Sequence, residues 1–188
     1  MRVIAGKARR INLITPKGLE VRPTTDRTKE TLFNIINVDV YDSRFLDMFS
    51  GSGAIGIEAL SRGAGSAAFV EKSIDSLKCI KDNLEKTKLS DMAKIYKIDV
   101  IHALNKFYTN NEKFDIIFMD PPYDKGWESK VISLIEQNDL LDRDGMIICE
   151  SSIGTTFDFI DDTKYEISKE KLFRTNKFTF IKYGHKVD

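Results

Sequence analysis

The chain has 188 residues, of which 41% are apolar, and a formal net charge of zero. That length suits one domain with an appendage, and the composition allows a sizeable core. No apolar run is long enough to cross a bilayer. The opening Met1-Arg2-Val3-Ile4-Ala5-Gly6-Lys7 has no signal-peptide layout, so a soluble, cytoplasmic protein without a membrane partner is expected.

Taken in chain order, residues 2–5 and 10–14 read as two short strands around Gly6-Lys7. Pro16, Gly18 and Pro23 interrupt the pattern. Thr24 or Thr25 then caps a helix that buries Leu32, Phe33, Ile35 and Ile36. From Arg44 strands and helices alternate. Phe45–Met48 is an apolar strand, 54–62 a helix and Ser66–Val70 a strand. An amphipathic helix over 73–87 buries Ile74, Leu77, Ile80 and Leu84. Ile95–Ile98, a helix over 100–108, Phe114–Met119, a helix over 127–137 and Gly145–Cys149 continue the alternation. Two strands, near 164–168 and 176–183, close the chain as a hairpin. Apolar strands alternating with helices predict an α/β fold with a mostly parallel sheet covered on both faces and an antiparallel C-terminal edge. The reading divides into a basic N-terminal extension over 1–37, packed on a core domain over 38–188.

Charge is unevenly spread. Residues 1–29 hold eight Lys and Arg against two acidic residues, an excess of +6 that the rest of the chain must balance. Arg2, Lys7, Arg9, Arg10, Arg22, Arg27 and Lys29 are therefore candidate contacts to a phosphate backbone; a solvated basic arm is the competing reading. Cys79 and Cys149 lie in apolar contexts, and His102 and His185 form no cluster, so buried thiols and no metal site are expected.

Gly51-Ser52-Gly53-Ala54-Ile55-Gly56 follows a strand and opens a helix, and Glu71 stands twenty residues beyond Gly51. Glycines let the backbone pass close to a ligand, and the acid can accept from ribose hydroxyls. A dinucleotide fits this spacing as well as other nucleosides do. Asp47, four residues ahead of the glycines, would repel a diphosphate and suit a ligand with an ammonium and a sulfonium, such as S-adenosylmethionine. Phe49, Ser50 and Lys72 flank the same two strand ends. Asp99 and Val100, after the third strand, can meet an adenine, and Asp99 can also cap the next helix.

The most specific stretch is Phe118-Met119-Asp120-Pro121-Pro122-Tyr123. An acid ends a central apolar strand and two prolines then fix the backbone. An exocyclic base amine is a poor nucleophile because its lone pair is delocalised into the ring. The Asp120 carboxylate and Pro121 carbonyl can hold its two hydrogens, Pro122 stiffens the corner, and Tyr123 can stack on the base. Such a site works by positioning and by stabilising the charge that develops on nitrogen. The same corner, with small changes, suits adenine N6 of DNA or a protein glutamine. A non-catalytic cofactor- and RNA-binding module and a nicotinamide oxidoreductase also remain open.

Residues 1–9, Arg22–Ile35, the glycine loop, Phe69–Lys72 and Phe114–Tyr123 together resemble the bacterial 16S ribosomal RNA guanine-N2 methyltransferase family known as RsmD. The resemblance covers nearly the whole chain and weakens after about Ser151, where Phe173-Arg174-Thr175-Asn176-Lys177 departs from the family's basic-Tyr-Gly stretch. It implies a class I methyltransferase fold with a seven-stranded sheet of order 3-2-1-4-5-7-6. It also implies S-adenosylmethionine as donor and a guanine of 16S RNA, within a partly or fully assembled small subunit, as acceptor. A monomer is expected.

Overall fold

The computed structural model describes residues 1–16, 25–123 and 125–184. Helix α1 spans Asp26–Ile35, and the body follows as β1 (Arg44–Met48), α2 (Ala54–Ser61), β2 (Ser66–Glu71), α3 (Ile74–Thr87) and β3 (Ala93–Lys97). Then come α4 (Val100–Thr109), β4 (Phe114–Met119), α5 (Trp127–Gln137), β5 (Leu141–Ser152), β6 (Tyr165–Leu172) and β7 (Asn176–Tyr183). The sheet has seven strands in the order β3-β2-β1-β4-β5-β7-β6, as expected. Strands β1 to β5 pair in parallel, and β7 runs antiparallel to both β5 and β6.

Local sequence explains three of the helix starts. Thr25 caps α1, its side chain accepting from the Thr28 N–H at 3.1 Å. Ser73 and Asp99 cap α3 and α4 in the same way. Strand residues alternate between the two faces of the sheet. Phe45, Phe69, Phe118, Ile148 and Phe178 share one core with Leu32 and Phe33 of α1 and with α2 and α3. Leu46, Met48, Val70, Met119 and Ile147 share the other with α4 and α5. Both Cys79 and Cys149 are buried and reduced.

Three expectations are corrected. The strands expected at 2–5 and 10–14 pair antiparallel only briefly, through the Arg2–Asn12 bridge and the backbone hydrogen bonds of Val3 with Arg10 and Ile11 and of Leu13 with Met1. The segment is also tied to the body: the Ile4 and Ala5 N–H groups donate to the Glu58 carboxylate, and the Ile14 N–H donates to Asn83. Strand β5 begins at Leu141, not Gly145, because the pairing with β4 continues through an irregularity between Phe114 and Ile116. Ile74, expected on the buried face of α3, is 71% exposed and is the first residue of that helix. Two short 3-10 turns stand where no regular element was expected, Ser90–Met92 between α3 and β3 and Asp158–Asp162 between β5 and β6.

Candidate active site

The carboxyl ends of β1 to β5 open on a cleft of about 860 Å³, within the range usual for small-molecule sites. The glycine loop forms one wall. Phe49 is held at φ 60 and Gly53 at φ 76. The left-handed region is costly for a phenylalanine and cheap for glycine, so the strain at Phe49 sits in the wall itself. Its ring meets Trp127 edge-on at 5.6 Å between centroids. A methyl group at Gly56 would collide with the Phe69 ring, so the third glycine lets α2 lie close on the sheet.

Of the residues assigned to the donor, Phe49, Gly51, Glu71, Lys72, Asp99, Val100 and Asp120 line the cleft. Glu71 is held by three backbone N–H groups, Gly51 at 2.9 Å and Lys72 and Ser73 at 2.8 Å. Asp99 caps α4, accepting from the His102 N–H at 3.1 Å, and still faces the cleft. Capping the helix therefore does not take Asp99 out of the cleft wall. The His102 N–H groups beside Asp99 hold its carboxyl below the usual carboxylate range.

Asp47, Ser50, Ser52 and Gly53 are outside the cleft lining. Asp47 is buried and turned toward α2, where it accepts from the Gly56 N–H at 2.9 Å. Burial pushes its carboxyl up to about 8. The expectation that it faces the ligand directly is corrected: its side chain shares a face with α2, and it anchors the loop from behind. The Ser50 hydroxyl donates to the carbonyl of Asp47 at 2.6 Å, and the Ser52 carbonyl accepts from Asn83 at 3.0 Å. Both hold the loop's shape.

Asp120, Pro121, Pro122 and Tyr123 are brought to the same cleft. Pro121 is buried, while Pro122 and Tyr123 are exposed. Burial, and after it the charges of Glu150 and Asp47, push the Asp120 carboxyl well above the usual range. Several lining residues escaped the sequence reading. Thr28 comes from the first turn of α1, Lys125 and Trp127 follow the proline corner, and Glu150, Arg174 and Asn176 come from β5 and the β6–β7 turn region. Trp127, the chain's single tryptophan, and Glu150, an acid directly after the apolar run Ile147-Ile148-Cys149, were the available signals.

The basic residues separate into groups. Lys29 is corrected as a phosphate contact: it is fully buried, 3.2 Å from Glu58, and donates to the Arg2 carbonyl at 2.7 Å. Burial lowers its pKa against the pull of Glu58. Arg2, Lys7, Arg9, Arg10 and Arg27 are exposed, with Arg2 paired to Asp26 at 3.3 Å. The Lys7 N–H donates to Ser61, at the end of α2 remote from the glycine loop, which sets the basic turn about 12 Å from that loop for an eight-residue helix. Arg22 lies outside the described residues. Among the described residues no helix is long and apolar enough to cross a membrane.

Comparison with known proteins agrees with this architecture. An Escherichia coli (strain K12) protein named Ribosomal RNA small subunit methyltransferase D is 34% identical over 153 residues, covering 81% of this chain and 75% of that one. A Haemophilus influenzae protein of the same name is 36% identical over 154 residues, covering 80% and 78%. A solved Escherichia coli structure, described as "Putative methyltransferase yhhF", superposes with a TM-score of 0.81 at 32% identity and covers 97% of each chain. The family model described as "Conserved hypothetical protein 95" matches residues 1–182, and the chain belongs to that family.

Proposed function

We propose that this protein transfers a methyl group from S-adenosylmethionine to the exocyclic N2 amine of a guanine in 16S ribosomal RNA. One observation carries the reading. The Asp120-Pro121 corner opens on the same cleft as Glu71 and Asp99, so an amine gripped by the first pair lies beside a nucleoside held by the second. The names of the two relatives support ribosomal RNA as the acceptor class.

The lining fits such a donor. Apolar surface is interrupted by the carboxylates of Glu71, Asp99, Asp120 and Glu150, which complement a cationic nucleoside. Glu71 would accept from the ribose hydroxyls, since a carboxylate offers about four acceptor positions and the three backbone N–H groups leave it firmly oriented. The Asp99–Val100 corner would meet the adenine. When bound, the donor supplies an electrophilic methyl group on a positively charged sulfur.

The chain's own residues do the remaining work. The Asp120 carboxylate and Pro121 carbonyl accept the two amine hydrogens, which localises the nitrogen lone pair and aims it. As the N–C bond forms and the methyl–sulfur bond breaks to leave a neutral thioether, positive charge would pass from sulfur to the nitrogen, and the buried Asp120 side chain beside it would stabilise that charge. The amine proton then passes to Asp120 or to water. Tyr123 stacks on the base. The base leaves its own stack to enter the cleft, which costs little for an exposed loop nucleotide. Arg2, Lys7, Arg9, Arg10 and Arg27 hold RNA phosphates and set its register. The protein acts as a monomer in the cytoplasm, on a partly or fully assembled small subunit.

The test is labelled methyl transfer to small subunits, naked 16S RNA, DNA and protein, with mass mapping of the modified nucleotide. Asp120→Ala should lower turnover by roughly 10²–10³ while S-adenosylhomocysteine binding changes little. Full turnover in that variant contradicts the role given to Asp120.

A further inference from the structure

The Asp120 grip explains how an amine is activated, but it suits any base that carries one. A second carboxylate stands beside it. Met119 of β4 is in register with Cys149 of β5 on adjacent parallel strands. Asp120 and Glu150 are the next residues on each, side by side on one face and about 4.8 Å apart in backbone. Glu150 is 5% exposed and lines the cleft. From the next strand over, the Asn176 side-chain N–H donates to its Oε1 at 2.6 Å. That amide orients the carboxylate without neutralising it. A buried carboxylate at a ligand wall is costly unless a donor meets it, and after burial the charge of Glu150 is the main influence that pushes the Asp120 carboxyl up.

The bases differ in what lies next to the amine. The ring nitrogen beside adenine N6 carries a lone pair, and so does the one beside cytosine N4. Guanine alone has a ring N–H, at N1, beside its amine. An acceptor oxygen next to the amine grip therefore complements guanine and opposes the other two, whose ring lone pair would face an oxygen lone pair. We infer that Glu150 accepts the N1–H of the target guanine and is the residue that selects guanine among the amino-bearing bases. This rests on the proposed reaction and adds the determinant of base choice. Asn176 is the positioning residue, holding Glu150 through Oε1.

The substitution of choice is Glu150→Gln, because Asn176 dictates its outcome. The Asn176 N–H would keep the glutamine oxygen, leaving the glutamine NH₂ toward the base. The wall then presents a donor where it had an acceptor. A discriminating probe is 2-aminopurine at the target position, which keeps the 2-amino group but has a lone pair at N1. Small subunits carrying guanine or 2-aminopurine at that position are compared by kcat/KM for methyl transfer. The wild type should prefer guanine by roughly a hundredfold, the scale of one lost charge-assisted hydrogen bond plus an unpaired buried group. In Glu150→Gln the guanine rate should fall and the 2-aminopurine rate rise, bringing the ratio to within about tenfold of one. Retained S-adenosylhomocysteine affinity reports an intact fold.

Equal proportional loss on both substrates would assign Glu150 a structural role and overturn the inference. So would a wild type that methylates the two substrates equally, a result that needs no variant. A wild type that methylates guanine without discrimination refutes only the role of Glu150. A wild type that transfers no methyl group to guanine-containing subunits refutes the proposed reaction and this inference with it.

Discussion

Glu58 is the joint between the N-terminal arm and the body, and its removal has a calculable effect. Its carboxylate accepts from the Ile4 N–H at 2.8 Å, the Ala5 N–H at 3.0 Å and the Arg62 Nε at 2.8 Å, and lies 3.2 Å from the Lys29 Nζ. The side chains of Glu58 and Lys29 are both fully buried. In Glu58→Ala the Lys29 ammonium keeps only the Arg2 carbonyl among these contacts and loses its counter-charge. Breaking a buried pair in this way costs about 3–5 kcal/mol, and two orphaned backbone N–H groups add about 1 kcal/mol or more each where water does not reach them. The total is a large share of the ~5–15 kcal/mol that holds a domain of this kind. Urea unfolding with linear extrapolation measures it. Lys29→Met in the Glu58→Ala background removes the stranded charge and should restore about 2 kcal/mol or more, read as coupling in a double-mutant cycle. Protease cleavage within residues 1–16 should accelerate in Glu58→Ala before the body unfolds. A loss below about 1 kcal/mol, or no recovery in the double variant, refutes the reasoning.

Two further outcomes follow from charge placement. The carboxyl of Asp47 is raised in the folded state to about 8 from 3.8. The folded state therefore holds the proton more tightly, and the stability this group contributes is full below the lower value and lost as pH rises through the upper one. Asp47→Asn should gain stability relative to the parent as pH climbs from about 4 to about 8, by a few kcal/mol at most, in melts taken across that range; a pH-independent difference contradicts it. For RNA, neutralising Arg9, Arg10 and Arg27 together should reduce the slope of log affinity against log salt by roughly two to three. Lys29→Met should leave that slope unchanged because its ammonium never reaches solvent. An equal slope change from Lys29 would place it at the RNA surface.

The parts of this protein legible in the sequence are those settled within a few residues. The glycine loop, the caps at Thr25 and Asp99 and the rigid Asp120-Pro121-Pro122 corner each depend on sterics and hydrogen bonds over one turn of chain. The alternation of apolar strands and helices likewise declared the layered sheet, because a strand covered on both faces must be apolar throughout. Which side chains meet was decided elsewhere. Lys29 reads as one more basic residue of an arm until Glu58, almost thirty residues later, captures it in the core. Asp47 has the right spacing for a ligand contact, yet the face it shares with α2 turns it away from the cleft. Glu150 and Asn176 join Asp120 only because β5 and β7 pair next to β4. Backbone preferences act locally and are written in neighbouring residues. Burial and charge pairing act through space, so the side of the sheet a carboxylate faces, and what it meets there, exist only once the strands are in order.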